Sequence, residues 1–90
     1  MKIETPSDFG RILRQGPYAW PGGYPVFFIC DDGEPLSFNA ARRHARAICQ
    51  AIRERDRCGW RVLAAEINWE DKSCFCAHSG EKIECAYPST

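Results

Sequence analysis

Ninety residues suffice for one small domain with a single modest core and leave no room for a second. Twelve basic and twelve acidic side chains cancel, which excludes the overall positive field that drives non-specific association with nucleic acid or anionic lipid, so any such binding has to come from a local patch. The opening MKIETPSDFG has no long apolar core of the secretory kind and no apolar run is long enough to cross a bilayer; a cytosolic setting is therefore expected, in which six cysteines (Cys30, Cys49, Cys58, Cys74, Cys76, Cys85) read as core thiols or metal ligands rather than a disulfide framework.

Thr5-Pro6-Ser7-Asp8 has the form of a helix start. Thr5 is the cap, Pro6 stands where its missing N–H costs nothing, and Asp8 occupies the capping-box position. Phe9, Ile12 and Leu13 then share one face, and Gly16-Pro17 stops the helix. Tyr18 to Pro25, with its Pro-Gly-Gly and three aromatics, reads as a rigid loop. Val26 to Cys30 is β-branched and aromatic, Asp31 to Glu34 is turn chemistry, and Pro35 to Phe38 is the return strand. A turn centred on Asp32-Gly33 sets Ile29 opposite Leu36 and Phe27 opposite Phe38, making those four the core face.

Asn39 is a good cap for a second helix running through Arg57 and ended by Gly59. At about 100° per residue, Ala41, Ala45, Ile48, Cys49 and Ile52 form its apolar stripe. On the other side Arg42, Arg46, Arg53 and Arg57 fall within roughly 60° of one another, and Arg43, outside that arc, is a further candidate contact. Trp60 to Trp69 follows as a long strand, apolar on both faces and so expected at the centre of a sheet. A second hairpin ends near Tyr87. The order α-β-β-α-β-β-β gives an α+β domain spanning residues 1–90, with a small antiparallel sheet packed against two helices.

CFCAHSGEKIEC, Cys74 to Cys85, is the richest stretch chemically. A two-residue turn on Ser79-Gly80 sets Cys74 opposite Cys85, Cys76 opposite Ile83 and His78 opposite Glu81, all toward one face. Cys74, Cys76, His78 and Cys85 are therefore candidate zinc ligands. Alternate strand residues stand about 6–7 Å apart, however, and zinc holds its donors at about 2.0–2.3 Å, so a regular hairpin does not converge them. No pair of C-x2-C knuckles occurs. Thiols packed in or beside the core are the favoured reading, with zinc and a Cys74 to Cys85 disulfide as alternatives, and no cofactor beyond zinc is suggested.

The segments AWPGGYPVFFI, DDGEPLSF, GWRVLAAEINWED and CAHSGEKIECAY resemble a family of small uncharacterised proteins encoded by phages and prophages, over nearly the whole chain. Some members of that family carry two C-x2-C pairs forming a zinc-ribbon-like site. Mapped onto this sequence the first pair falls on Ser37 and Ala40 and the second on Cys76 and Ser79, so only Cys76 is kept and the ribbon is degenerate. A substitute site from Cys30, Cys74, Cys76 and His78 stays open.

His44 and His78 lack a nucleophile motif around them, there is no phosphate-cradling glycine loop, and catalysis is not expected. The arginine helix suits either phosphates or an acidic protein surface. The acidic turn Asp31, Asp32 and Glu34, with Glu70 and Asp71, suits the opposite role of imitating phosphates in a basic channel. The surface-capable aromatics Tyr18, Trp20, Tyr24 and Tyr87 would add interface area where they are exposed, with the core as the other expected place for them and the favoured one for Trp20. The resemblance implies a stoichiometric, non-enzymatic inhibitor of a host protein or nucleoprotein complex, in its sharpest form an anti-CRISPR or other anti-defence protein in the bacterial cytoplasm. Direct nucleic-acid binding is the alternative, no membrane role is expected, and an unpaired strand edge leaves both a monomer and an edge-paired dimer open.

Overall fold

Thr5 opens the first helix as the sequence predicts. In the computed structural model, which describes residues 2–19, 24–55, 60–69 and 74–84, helix α1 spans Pro6–Gln15. The Thr5 hydroxyl accepts from the Asp8 N–H at 3.1 Å, and the Asp8 carboxylate accepts from the backbone N–H groups of Thr5 and Glu4 at 3.2 and 3.1 Å. Three N–H groups at this end are thereby satisfied by two side chains. Phe9 and Ile12 are buried, Leu13 packs beside them, and Gly16 leaves the helix at φ 95°, where a Cβ would be strained.

The remaining elements are β1 (Tyr18–Ala19), β2 (Tyr24–Cys30), β3 (Pro35–Ser37), α2 (Phe38–Arg43), α3 (Ala45–Glu54) and β4 (Val62–Ile67). The fold is α+β with an antiparallel sheet, and no described helix is long and apolar enough to cross a membrane. Part of the expected aromatic loop is a strand: β1 pairs with the start of β2, Tyr18 facing Pro25 and Ala19 facing Tyr24.

Strand β2, not the Trp60 to Trp69 segment, is central. It carries β4 along one edge and β1 then β3 along the other. β4 is shorter than expected and covered on one side only, with Val62 and Ala65 buried while Leu63 and Trp69 are exposed. A register shift opposite Ile29 and Cys30 leaves Leu63 as the extra residue, which disturbs the two-residue alternation assumed from sequence. The outer edge of β4 is closed by the chain's beginning. Ile3 donates to the Leu63 carbonyl at 2.8 Å, and Lys2 bridges to Ala64.

The β2–β3 turn differs by one residue from the expected one. Cys30 donates to the Glu34 carbonyl at 3.1 Å and Gly33, at φ 79°, donates back to Cys30 at 2.9 Å, so the loop is Asp31-Asp32-Gly33. A glycine in the left-handed region closes such a loop without steric cost, and the one-residue difference turns the β2 residues over relative to those of β3. Phe28 therefore faces Leu36, both buried, while Phe27 and Ile29 lie on the other face, only partly buried, opposite Ser37 and Pro35. Phe28 is fully enclosed, with ring centroids 5.3 Å from Phe9 and 5.7 Å from Phe38.

The predicted single helix is two. Ser37, not Asn39, is the cap of α2: its hydroxyl accepts from the Ala40 N–H at 3.1 Å, which brings Phe38 into the helix and onto Phe28. At His44 the backbone leaves helical geometry (φ −111°, ψ 25°) and α3 restarts at Ala45. It ends at Glu54, short of the expected Arg57, through Arg55 in the left-handed conformation (φ 53°). Apolar patterning is kept across the break. Ala41, Ile48 and Ile52 are buried, with Ala45 and Cys49 packed against them.

Candidate functional site

The break at His44 divides the expected arginine ridge. Arg42 and Arg43 belong to α2, Arg46 and Arg53 to α3, all four are exposed, and Arg57 lies outside the described residues. On α2 the cations are engaged locally. The Arg42 guanidinium lies 5.0 Å from the centre of the Phe38 ring, and Arg43 reaches Glu81 at 4.0 Å. Arg46 and Arg53, seven residues apart and so on one side of α3, border an open groove of about 480 Å³ whose floor includes Ala45 and Cys49. Gln50 spans part of it and donates to Glu54 at 3.4 Å. Among the described residues no carboxylate forms an ion pair with Arg46 or Arg53.

The acidic residues sit on the β2–β3 turn. Asp31 is half-buried; its N–H donates to the Arg61 carbonyl at 2.8 Å, while its Oδ1 is enclosed with no hydrogen-bond partner among the described residues. Asp32 uses Oδ1 to accept from the Glu34 N–H at 3.0 Å, and both side chains are exposed. Glu70 and Asp71 lie outside the described residues. Next to this turn is a cleft of about 230 Å³, bordered by Asp32, Glu34, Pro35, Cys30, Trp60 and His78. Its aromatic wall is braced from behind. Trp60 and His78 have ring centroids 4.4 Å apart, and His44 stands 4.7 Å from Trp60 and 4.8 Å from His78.

The cysteine hairpin forms in a register two residues from the expected one. Cys76 donates to the Glu81 carbonyl at 2.8 Å, Ile83 donates to Cys74 at 2.9 Å, and Phe75 bridges to Lys82. The loop is thus Ala77 to Gly80, with Gly80 at φ 77°. A shift of two keeps each strand residue's face, so Cys74, Cys76 and Ile83 are buried as the core-thiol reading requires. His78, by contrast, is carried into the exposed loop and onto Trp60. Cys74, Cys76 and His78 are not gathered round a point: no group of three or more His, Cys, Asp or Glu placed to hold a metal occurs among the described residues. Cys85 lies outside them.

What the hairpin does build is a polar knot. The Ser79 N–H points at Cys76 Sγ (3.5 Å) as the Ala40 N–H points at Ser37 Oγ (3.1 Å), two similar turns brought face to face. Glu81 joins them, accepting from the Ser37 hydroxyl at 2.5 Å and from the Ser79 hydroxyl at 3.2 Å. Burial alone would raise the Cys76 thiol pKa. The N–H of Ser37, the hydroxyl and N–H of Ser79 and the N–H of His78 outweigh it, bringing the thiol from its ordinary 9.0 down to about 7.

No family model matches the chain, and neither does a curated protein or a solved structure. The geometry is therefore the ground for assigning surfaces. Among the open surfaces of the described residues are the α3 arginine groove and the cleft beside the acidic turn. Of the aromatics singled out from sequence, Tyr18 is half exposed with its hydroxyl donating to Glu84 at 2.9 Å, Tyr24 packs against Trp69 with ring centroids 4.7 Å apart and planes tilted by 55°, and Trp20 and Tyr87 lie outside the described residues. Sequence reasoning missed Glu81, Trp60 and Asn68. Asn68 is buried and donates to the Ile83 and Glu84 carbonyls at 3.3 and 3.2 Å, tying the hairpin to the end of β4. A polar residue following an apolar strand was the available signal for it.

Proposed function

We propose that this domain is a non-enzymatic binding protein that acts stoichiometrically, laying the arginine face of α3 on an acidic surface of a macromolecular partner. The observation that carries the reading is the open groove between Arg46 and Arg53, two exposed cations with no ion pair among the described residues. Exposed guanidinium groups beside a small apolar floor are the composition that interfaces favour. The resemblance to phage-encoded proteins makes the partner a host protein or nucleoprotein complex, with an anti-defence target such as a CRISPR effector as the sharpest case.

A protein surface suits this groove better than a phosphate backbone. The net charge is zero, Glu54 stands in the groove, and Arg43 is directed toward Glu81, so few cations remain to displace counterions from a polyanion. The test is capture from nuclease-treated host lysate by the parent protein and by Arg46→Glu/Arg53→Glu. Desolvated arginines at an interface contribute about 2 kcal/mol or more each, so the double reversal should weaken capture of a nuclease-resistant partner more than about a hundredfold. Equal capture by both proteins refutes the proposal. Loss of every partner on nuclease treatment transfers the arginine face to nucleic acid.

A further inference from the structure

We infer that the cleft between the β2–β3 turn and Trp60 is a binding site for an alkylammonium group. The starting point is the cleft: about 230 Å³ of space open to solvent lies between parts of the chain distant in sequence, the turn on one side and Trp60 with His78 on the other. Pockets for drug-sized ligands begin at about 300 Å³, so the volume suits one small group or the end of a side chain.

The lining then selects for charge and shape. Trp60 offers an indole, the ring type whose face attracts cations most strongly, and its position is held by His44 and His78 packed at 4.7 and 4.4 Å. At the rim stand Asp32 and Glu34. Asp32 spends one oxygen on the Glu34 N–H, which fixes the carboxylate and leaves its other oxygen available, and neither residue forms an ion pair among the described residues. Among the described residues no Lys or Arg lines the cleft to neutralise them. Carboxylates on an ordinary exposed turn would be only a solvated patch. Here they border a cavity that is walled by an aromatic cation acceptor and floored by Pro35 and Leu36, so one end of an alkylammonium meets charge while its methylenes meet apolar surface.

The same chemistry is offered by a free amine and by a lysine side chain of a peptide, and the site is independent of the arginine groove. The test is titration of the full chain, followed by amide NMR shifts of Glu34, Ala77 and His78, with n-butylammonium, with butyrate, and with the tripeptide amide acetyl-Gly-Lys-Gly. Saturable shifts are expected with butylammonium at millimolar concentration, the range for a ligand of few atoms, and none with butyrate. Asp32→Asn/Glu34→Gln keeps the side-chain oxygen that braces the turn and should weaken binding about tenfold or more with an unchanged thermal unfolding curve. Tighter binding of the tripeptide than of butylammonium identifies a lysine side chain as the occupant; equal binding identifies a free amine. Absence of saturation with either amine, shifts of equal size with butyrate, or undiminished binding by the double variant overturns the inference.

Discussion

Replacing Ser37 by alanine separates the observed helix cap from the one expected at Asn39. Ser37 is buried, its hydroxyl accepts from the N–H of Ala40, a residue with no exposure, and it donates to Glu81. Loss of a serine cap costs about 1 kcal/mol. Loss of a hydrogen bond to a carboxylate costs about 1.5–3 kcal/mol, with the lower end appropriate because Glu81 is partly exposed. Ser37→Ala should therefore destabilise by about 2–3 kcal/mol. In a domain of this size each kcal/mol moves the midpoint by about 4–8 °C, so thermal unfolding followed by far-UV circular dichroism should fall by roughly 8–24 °C. Asn39 is exposed and caps nothing, and Asn39→Ala should stay within about 0.5 kcal/mol of the parent. If Asn39→Ala is the more damaging of the two, the placement of the helix start and the polar knot built on it are wrong.

Three further outcomes are expected. Because the Cys76 thiol lies at about 7 when folded and near 9.0 otherwise, its contribution is complete above about pH 9 and lost as the pH falls through about 7, with a ceiling on the order of 3 kcal/mol. Urea midpoints should thus rise from pH 7 to 9 more steeply in the parent than in Cys76→Ser, and parallel curves would contradict the N–H cradle. Arg55→Gly relieves a left-handed residue at a net gain of about 0.5–1 kcal/mol in chemical denaturation, whereas destabilisation would count against the helix end seen here. Phe28→Ala should cost about 3–5 kcal/mol, enough to bring a small domain close to unfolding at 37 °C, and a loss below about 1 kcal/mol would contradict its place among Phe9 and Phe38.

The α1 cap, the inward direction of Cys74 and Cys76 and the α+β class were legible because each rests on local chemistry or on a periodicity that survives small errors of register. Faces on β2 were not, since Gly33 sets the loop at an odd number of residues and one step exchanges Phe27 for Phe28 in the core. The second hairpin was also misaligned, yet by two, and its buried face stayed correct. The break at His44 carries no local mark. Its ring is held by Trp60 and His78, from parts of the chain distant in sequence, and that contact overrides the helix pattern running through it. For the same reason the individual acidic and basic residues could be named from sequence, whereas the cleft and the Glu81 knot could not.

Lys2 and Ile3 act as a selvage along β4, occupying hydrogen-bonding positions that a second copy of the chain would otherwise find vacant. Trimming these residues, or displacing them with a bulky fusion, would turn a finished border into a template for strand addition. Self-association of such a variant would come from that bared margin and would report nothing about recognition by the rest of the surface.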